Sequence, residues 1–215
     1  MGFKGVVFDL DGTLVNSIED ISDSMNLVLR DAGFEEYNYK TYETFIGNGI
    51  RSLVIKALPD SVTSESEIDL YFNKMLTVYA ENCTNKTAPY DGILELLEKL
   101  VEKGIVLSVL SNKADALTKM AVKKKLPNIF SPVIGLTTEA LKKPNPNTLL
   151  EICKTIGLNK DEVLFVGDTS VDIQTAKNAG MKVAAVTWGF RSKEDLLKES
   201  PDFLVDTPDA LMDLL

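Results

Sequence analysis

The stretch Gly5-Val6-Val7-Phe8-Asp9-Leu10-Asp11-Gly12-Thr13-Leu14 decides how this chain is read. Its first residues form a short apolar run of β-branched and aromatic type, the composition of a buried strand. Two carboxylates, Asp9 and Asp11, then leave the strand one residue apart, and in extended backbone that spacing points them to the same side. They repel, and such a pair is normally tolerated only with a cation or a shared proton between them. Gly12 permits a tight backbone path and Thr13 adds a hydroxyl. Taken alone, the segment also suits an acidic turn closing a strand, because Asp and Gly are common turn residues.

Similar apolar runs recur along the chain at 105–110, 132–135, 163–166 and 183–186, with a short last candidate at 203–205. Runs apolar on both faces suit strands of a parallel sheet covered on both sides. Between them lie segments of helical periodicity. Ile93, Leu94, Leu96, Leu97, Leu100 and Val101 mark one apolar face, and Leu149, Leu150, Ile152, Cys153 and Ile156 another that ends at Gly157, a suitable residue just past a helix end. The alternation predicts an α/β fold with a doubly wound, Rossmann-like parallel sheet.

The stretch between the first two strands breaks that rhythm. Its apolar residues fall mostly at helical spacing: Ile18, Ile21, Met25 and Leu29, then Leu53, Val54, Ala57 and Leu58, then Leu70, Met75, Leu76 and Tyr79. About a dozen residues suffice for a crossover between parallel strands, and this connection is far longer. It is expected to be an all-helical cap inserted after the first strand. The expected division is a core of residues 1–15 and 88–215 and a cap of residues 16–87, with the turn-forming segment 87–92 as return hinge.

Composition narrows the function. Across 215 residues, 45% are hydrophobic and 26% charged, as in an ordinary globular protein. A net charge of −9 argues against a general nucleic-acid binder, yet a few local cations can still hold one phosphate. The chain has no histidine, which excludes Ser-His-Asp triads, Cys-His pairs, phosphohistidine chemistry and imidazole-ligated zinc. Acid–base work must fall to carboxylates, Lys, Tyr or Cys. The two cysteines, Cys83 and Cys153, lie far apart and are expected to be simply buried. Neither a signal peptide nor a membrane span is expected, and Val6 stands where a myristoylation signal needs Ser or Thr. A cytoplasmic location is expected, and the oligomeric state, monomer or homodimer, stays open.

A second acidic group stands after another strand-like run, in Gly167-Asp168-Thr169-Ser170-Val171-Asp172. Two strand ends bearing Asp residues can supply the oxygen ligands of an Mg²⁺ site. Asp172 can equally compensate the N-terminus of the helix that follows, and both roles are expected of it. Leu110 is followed by Ser111-Asn112-Lys113, where a hydroxyl and backbone N–H groups near a helix start can cradle oxygens, or where Ser-Asn can cap that helix. Lys142-Lys143-Pro144-Asn145-Pro146 places cations on a loop stiffened by prolines.

In this order, Asp-x-Asp-Gly-Thr-Leu, Ser-Asn, Lys-Pro and Gly-Asp-x-x-x-Asp resemble the four motifs of the haloacid dehalogenase superfamily. The resemblance spans residue 5 to about 190 and puts the helical insertion where that superfamily places its first type of cap. It implies Asp9 as a nucleophile forming an aspartyl-phosphate and Asp11 as the acid–base. Ser111, Asn112 and Lys143 would bind the phosphoryl group, Lys143 rather than Lys142 because the family's lysine directly precedes the proline. Mg²⁺ would be held by the carboxylates of Asp9 and Asp168 and the backbone carbonyl of Asp11, with Thr13 and Asp172 in support. Members that are true dehalogenases lack the metal-binding acids, so the set here favours phosphoryl chemistry on a small phosphorylated metabolite.

Within the superfamily, Phe45-Ile46-Gly47-Asn48-Gly49 and the apolar residues after it look like the cap segment of phosphoglycolate phosphatases. Leu14-Val15-Asn16-Ser17 resembles their Leu-Val-Asp-Ser with Asn replacing Asp, and Val186-Thr187-Trp188-Gly189-Phe190 is similar to them and to related pyrophosphatases. A cap loop over the site would read the leaving group, which makes Asn48 and Arg51 candidates, although Gly47-Asn48-Gly49 is also an ordinary turn between helices. The resemblance implies a phosphomonoesterase, with 2-phosphoglycolate as one substrate. The alternatives are a sugar-phosphate mutase of the same core and cap type, then a pyrophosphatase or nucleotidase, and last a non-catalytic binding protein on the same fold.

Overall fold

The computed structural model describes residues 2–215. Strand β1 (Gly5–Phe8) leads through a turn to β2 (Val15–Asn16), and four helices follow: α1 (Ile18–Asp31), α2 (Tyr39–Phe45), α3 (Gly49–Ala57) and α4 (Glu65–Asn82). The chain returns through β3 (Ala88–Pro89) and then alternates regularly. The order is α5 (Ile93–Glu102), β4 (Val106–Ala114), α6 (Asp115–Lys125), β5 (Phe130–Leu136), α7 (Asn147–Thr155) and β6 (Val163–Gly167). It closes with α8 (Ser170–Ala179), β7 (Lys182–Val186), α9 (Lys193–Lys198), β8 (Phe203–Val205) and α10 (Pro208–Leu211).

Six strands form one parallel sheet in the order β5-β4-β1-β6-β7-β8. Counting these six along the chain gives the doubly wound order 3-2-1-4-5-6, which reverses at β1. The sequence-based expectation of an α/β parallel sheet is met, and the reason is visible in the side chains. Successive residues of β1 go to opposite faces. Val6 and Phe8 join Leu107, Val109, Leu164 and Val166 against α5 and α6. Val7 joins Val163, Phe165 and Val183 against α7 and α8. Every residue of β1 and β6 is buried, and full burial of a side chain of this size contributes roughly 1.5–3 kcal/mol.

Helices α1 to α4 build a third apolar cluster of their own, centred on Met25, Leu29, Tyr42, Val54, Met75 and Tyr79, with Leu117 and Phe190 reaching it from the sheet side. The two chain crossings into this bundle pair as an antiparallel ribbon, Val15 with Pro89 and Asn16 with Ala88. Asp20 ties the return to the start: its carboxylate accepts from the backbone N–H groups of Lys86 and Thr87 and from the Thr87 hydroxyl. Asn16 Oδ1 accepts from Ile18 N at 3.2 Å, so this side chain supports the α1 start that Asp would also support.

Several local expectations need correction: on α5, Leu94 and Val101 are 43% and 47% exposed, and the buried face is Ile93, Leu96, Leu97 and Leu100. Leu70 is 51% exposed, and α4 buries Ile68, Met75 and Tyr79 instead. Helix α2 carries no apolar stripe of its own, because its seven residues bury only Tyr42. Strand β4 runs on through Ser111-Asn112-Lys113 to Ala114, with an irregular register against β5 between Leu110 and Ala114. These three residues therefore lie in bulged strand, and α6 begins after them with Ala114, not Ser111 or Asn112, at its cap position. Both cysteines are buried and unpaired, as expected. No helix among the described residues is long and apolar enough to cross a membrane.

Candidate active site

The carboxyl ends of β1, β4 and β6 meet where the strand order reverses, the position at which doubly wound sheets bind ligands. Asp9 follows β1, Ser111 to Lys113 close β4, and Asp168 follows β6. Lys143 arrives from the loop before α7. Carboxylate oxygens of Asp9, Asp168 and Asp172 lie within 4.8 Å of one another, and all three residues are buried.

Among the described residues Lys143 is the one ammonium inside this acidic cluster. Its Nζ lies 3.0 Å from Asp9 Oδ1 and 2.6 Å from Asp172 Oδ1. Burial alone would lower its pKa, but Asp172 and Asp9 outweigh burial and hold it above the ordinary lysine value. Asp9 is pushed up to about 7, chiefly by burial, with Lys143 opposing and the neighbouring carboxylates adding to the rise. Asp168 is raised well above the usual carboxylate range by burial, then by Asp172 and Asp9. Three buried acids thus face one ammonium, and the cluster is short of positive charge.

The donor set fits a hard divalent cation. It offers carboxylate oxygens and no sulfur or imidazole, which suits Mg²⁺. Among the described residues the backbone carbonyl of Asp11 accepts no hydrogen bond, which leaves it open to such a cation. Asp172 is placed differently. One oxygen takes Lys143, and the other accepts from the N–H and hydroxyl of Thr169 in the capping box of α8. It anchors Lys143 and caps a helix at once.

The tight turn after β1 is enforced by contact with Asp168. Gly12 has φ +86°, and a Cβ there would stand 2.3 Å from Asp168 Oδ2. On the other side a Cβ at Gly189 would stand 2.3 Å from Asp168 Cβ. Asp168 itself is held by the Thr13 hydroxyl at 3.2 Å and by Phe190 N at 2.8 Å. Trp188 Nε1 donates to the Thr13 carbonyl at 3.0 Å. The Trp188-Gly189-Phe190 stretch is thus a backing wall for the acidic cluster.

Asp11 points into a cavity between sheet and helices, lined among others by Asp9, Ile21, Ile46, Ile50, Leu53, Tyr79, Ser111 and Lys113. Its Oδ1 accepts from the Ser17 hydroxyl at 2.6 Å and from Lys113 Nζ at 2.9 Å. Lys113 also donates to the Tyr79 hydroxyl. Burial opposes its charge, yet Asp11 and Tyr79 keep its pKa above the ordinary lysine value.

Asp9, Asp11, Ser111, Lys143, Asp168, Asp172 and Thr13 therefore meet in one place and Asn112 lines the same cavity, while Arg51 and Asn48 sit otherwise. The Asn112 amide is spent on structure: Nδ2 donates to the carbonyls of Gly47 and Lys143, and Oδ1 accepts from Lys143 N. Its side chain positions the Lys143 loop rather than a phosphoryl oxygen. Arg51 turns away from the cavity, pairing with Glu65 and Asp69 on α4 and lying 5.7 Å from the Phe72 ring centroid. Asn48 is the residue before α3, and its neighbours Gly47, Gly49 and Ile50 line the cavity in its place. Sequence reasoning passed over Lys113 and Tyr79. Lys113 stood inside the Ser-Asn-Lys run, but nothing local announced its distant partners.

Residues 6–186 match the haloacid dehalogenase-like hydrolase family, and the chain belongs to that family. Among its relatives, a phosphoglycolate phosphatase of Aquifex aeolicus (strain VF5) is 36% identical, the alignment covering 98% of this chain and 95% of the relative. A phosphoglycolate phosphatase of Haemophilus influenzae (strain 86-028NP) is 33% identical over 99% of this chain and 98% of its own. A crystal structure from Lactobacillus delbrueckii subsp. bulgaricus superposes with a TM-score of 0.93 at 30% identity, covering 99% of this chain and 98% of that one. That of a predicted phosphoglycolate phosphatase from Haemophilus somnus superposes at 0.88 and 30% identity, covering 98% and 97%.

Proposed function

We propose that the chain is an Mg²⁺-dependent phosphomonoesterase that hydrolyses a small phosphorylated metabolite, 2-phosphoglycolate being the first candidate, through an aspartyl-phosphate on Asp9. One observation carries the reading. Asp9, Asp168 and Lys143 converge at the switch point of the sheet, with Asp11 beside them facing a cavity. The names of the full-length relatives support the substrate class.

Asp9 Oδ2 is the attacking oxygen, since Oδ1 is held by Leu10 N and lies against Lys143. As it bonds to phosphorus, the ester P–O bond breaks and Asp11 gives a proton to the leaving oxygen. Asp11 Oδ2 is suited to that proton because Oδ1 is already occupied by Ser17 and Lys113. Asp11 then takes a proton from the water that attacks the acyl-phosphate, which releases phosphate and restores Asp9. The Ser111 hydroxyl and Lys143 hold the phosphoryl oxygens throughout. Asp9, Asp168 and the Asp11 carbonyl would hold Mg²⁺, which would supply the positive charge the acidic cluster lacks. Residues 16–87 act as a cap on a core of residues 1–15 and 88–215, with the β2–β3 ribbon as hinge.

Phosphate release from 2-phosphoglycolate, sugar phosphates, nucleotides and pyrophosphate, with and without chelator, tests this. Chelator-sensitive release, lost in Asp9→Asn, is the expected result. Activity indifferent to both would overturn the mechanism, and conversion of a sugar 1-phosphate to an isomer without free phosphate would replace hydrolase by mutase.

A further inference from the structure

In the phosphoryl-transfer steps Lys113 only holds Asp11 Oδ1, yet it is built into the site with care. Its side chain is 2% exposed at the end of β4, and it is the only lysine or arginine lining the cavity among the described residues. An ammonium carries three N–H donors. Two are spent, on Asp11 Oδ1 at 2.9 Å and on the Tyr79 hydroxyl. Nζ lies 4.7 Å from the Tyr79 ring centroid, beside the hydroxyl edge of the ring. Tyr79 comes from α4 and is 1% exposed. Its hydroxyl accepts from Lys113 and donates to nothing among the described residues.

Two buried donors are therefore unspent side by side, one N–H of Lys113 and the O–H of Tyr79. Buried donors without acceptors are costly and rare in folded proteins. The rest of that wall, Ile21, Ile46, Ile50 and Leu53, offers no acceptor from its side chains. The phosphoryl seat is already served by Ser111 and Lys143. Lys113 stands instead on the Asp11 side, where the leaving oxygen departs.

Resting on the phosphatase reading, we propose that Lys113 and Tyr79 are the specificity-determining pair that receives an anionic group, a carboxylate, on a short leaving group. The ammonium gives the charge-assisted bond and the tyrosine hydroxyl the second donor, so a carboxylate can bridge them. Because Tyr79 belongs to α4 and Lys113 to β4, the receptor exists only while helices and sheet are together over the substrate. A neutral leaving group would offer the ammonium no charge and, with one acceptor oxygen at most, would leave a donor unpaired and be disfavoured.

The test is the ratio of kcat/KM for 2-phosphoglycolate to that for its primary amide, an uncharged isostere, in wild type, Lys113→Met, Lys113→Arg and Tyr79→Phe. An aryl phosphate with Mg²⁺ serves as control. Wild type is expected to prefer the acid by on the order of 10- to 100-fold, the range of one charge-assisted hydrogen bond. Lys113→Met should bring the ratio close to one through the KM of the acid, Lys113→Arg should retain much of it, and Tyr79→Phe should lower it partway. A wild-type ratio near one overturns the proposal. So does an equal loss on both substrates, which would leave Lys113 as a partner of Asp11 alone. If Lys113→Met does not fold, Tyr79→Phe decides, since it keeps the ring. Aryl phosphate hydrolysis with an unmoved ratio defeats only this inference, whereas its absence in wild type defeats the phosphatase reading and this inference with it.

Discussion

Lys143 Nζ donates to Asp172 Oδ1 at 2.6 Å, with side chains only 3% and 0% exposed. The pair is a beam under the site, because the same ammonium lies 3.0 Å from Asp9. Lys143→Met should abolish turnover. It should also cost about 3–5 kcal/mol in denaturant unfolding, since a buried charge loses its partner. Asp172→Asn keeps the Thr169 cap contacts and should cost less. Unchanged unfolding midpoints in Lys143→Met would show that the pair bears no structural load.

The acidic cluster should make stability depend on pH and metal together. Asp9 has a folded-state pKa of about 7 against an ordinary value of 3.8, and burial also raises Asp168. The metal-free folded protein then binds more protons than the unfolded chain between those values, so its stability falls as pH rises through that window. For Asp9 the penalty is complete above about pH 7. Mg²⁺ should therefore raise the melting temperature more at pH 8 than at pH 5. Asp168→Asn should raise the metal-free melting temperature at pH 8 and remove most of the Mg²⁺ response. An Mg²⁺ shift that is equal at both pH values would contradict this.

Asp11→Asn separates folding from proton transfer. An amide oxygen can still accept from Ser17 and Lys113, which now bond Asp11 Oδ1, so the fold should persist. Turnover should fall by roughly 10²- to 10⁴-fold, the usual contribution of a general acid–base. With an aryl phosphate, whose leaving group needs little protonation, phosphorylated protein should accumulate and be seen by intact mass. Full turnover would remove Asp11 from the role.

Arg191 is a polar link between the sheet side and the helical insertion. From the loop after β7 its guanidinium donates to the carbonyls of Glu43 and Ile46, at the C-terminal end of α2. A cation there also meets the negative end of the helix dipole. Arg191→Ala should speed hydrogen exchange across residues 39–48 and raise KM several-fold, with kcat affected less, because hydrogen bonds to a charged group are worth roughly 1.5–3 kcal/mol. Unaltered exchange in that segment would show that α2 is held by packing alone.

The sequence by itself determined the α/β class, the helical insertion after the first strand, and the residues Asp9, Asp11, Ser111, Lys143 and Asp168 as a set. The class and the insertion are legible because strand and helix periods are local properties, read within windows of a few residues. The site set follows instead from the order of four motifs that resembles the haloacid dehalogenase superfamily. Only the tertiary structure decided what each side chain touches. It spent Asn112 on Gly47 and Lys143, turned Arg51 onto Glu65 and Asp69, and ran β4 through the Ser-Asn-Lys segment. It also joined Lys113 to Tyr79, 34 residues away, and Asp11 to Lys113, 102 residues away. The physical reason is common to all of them. Hydrogen bonds and buried charges find partners through space, and the cost of leaving them unpaired is set by burial, which no local pattern encodes.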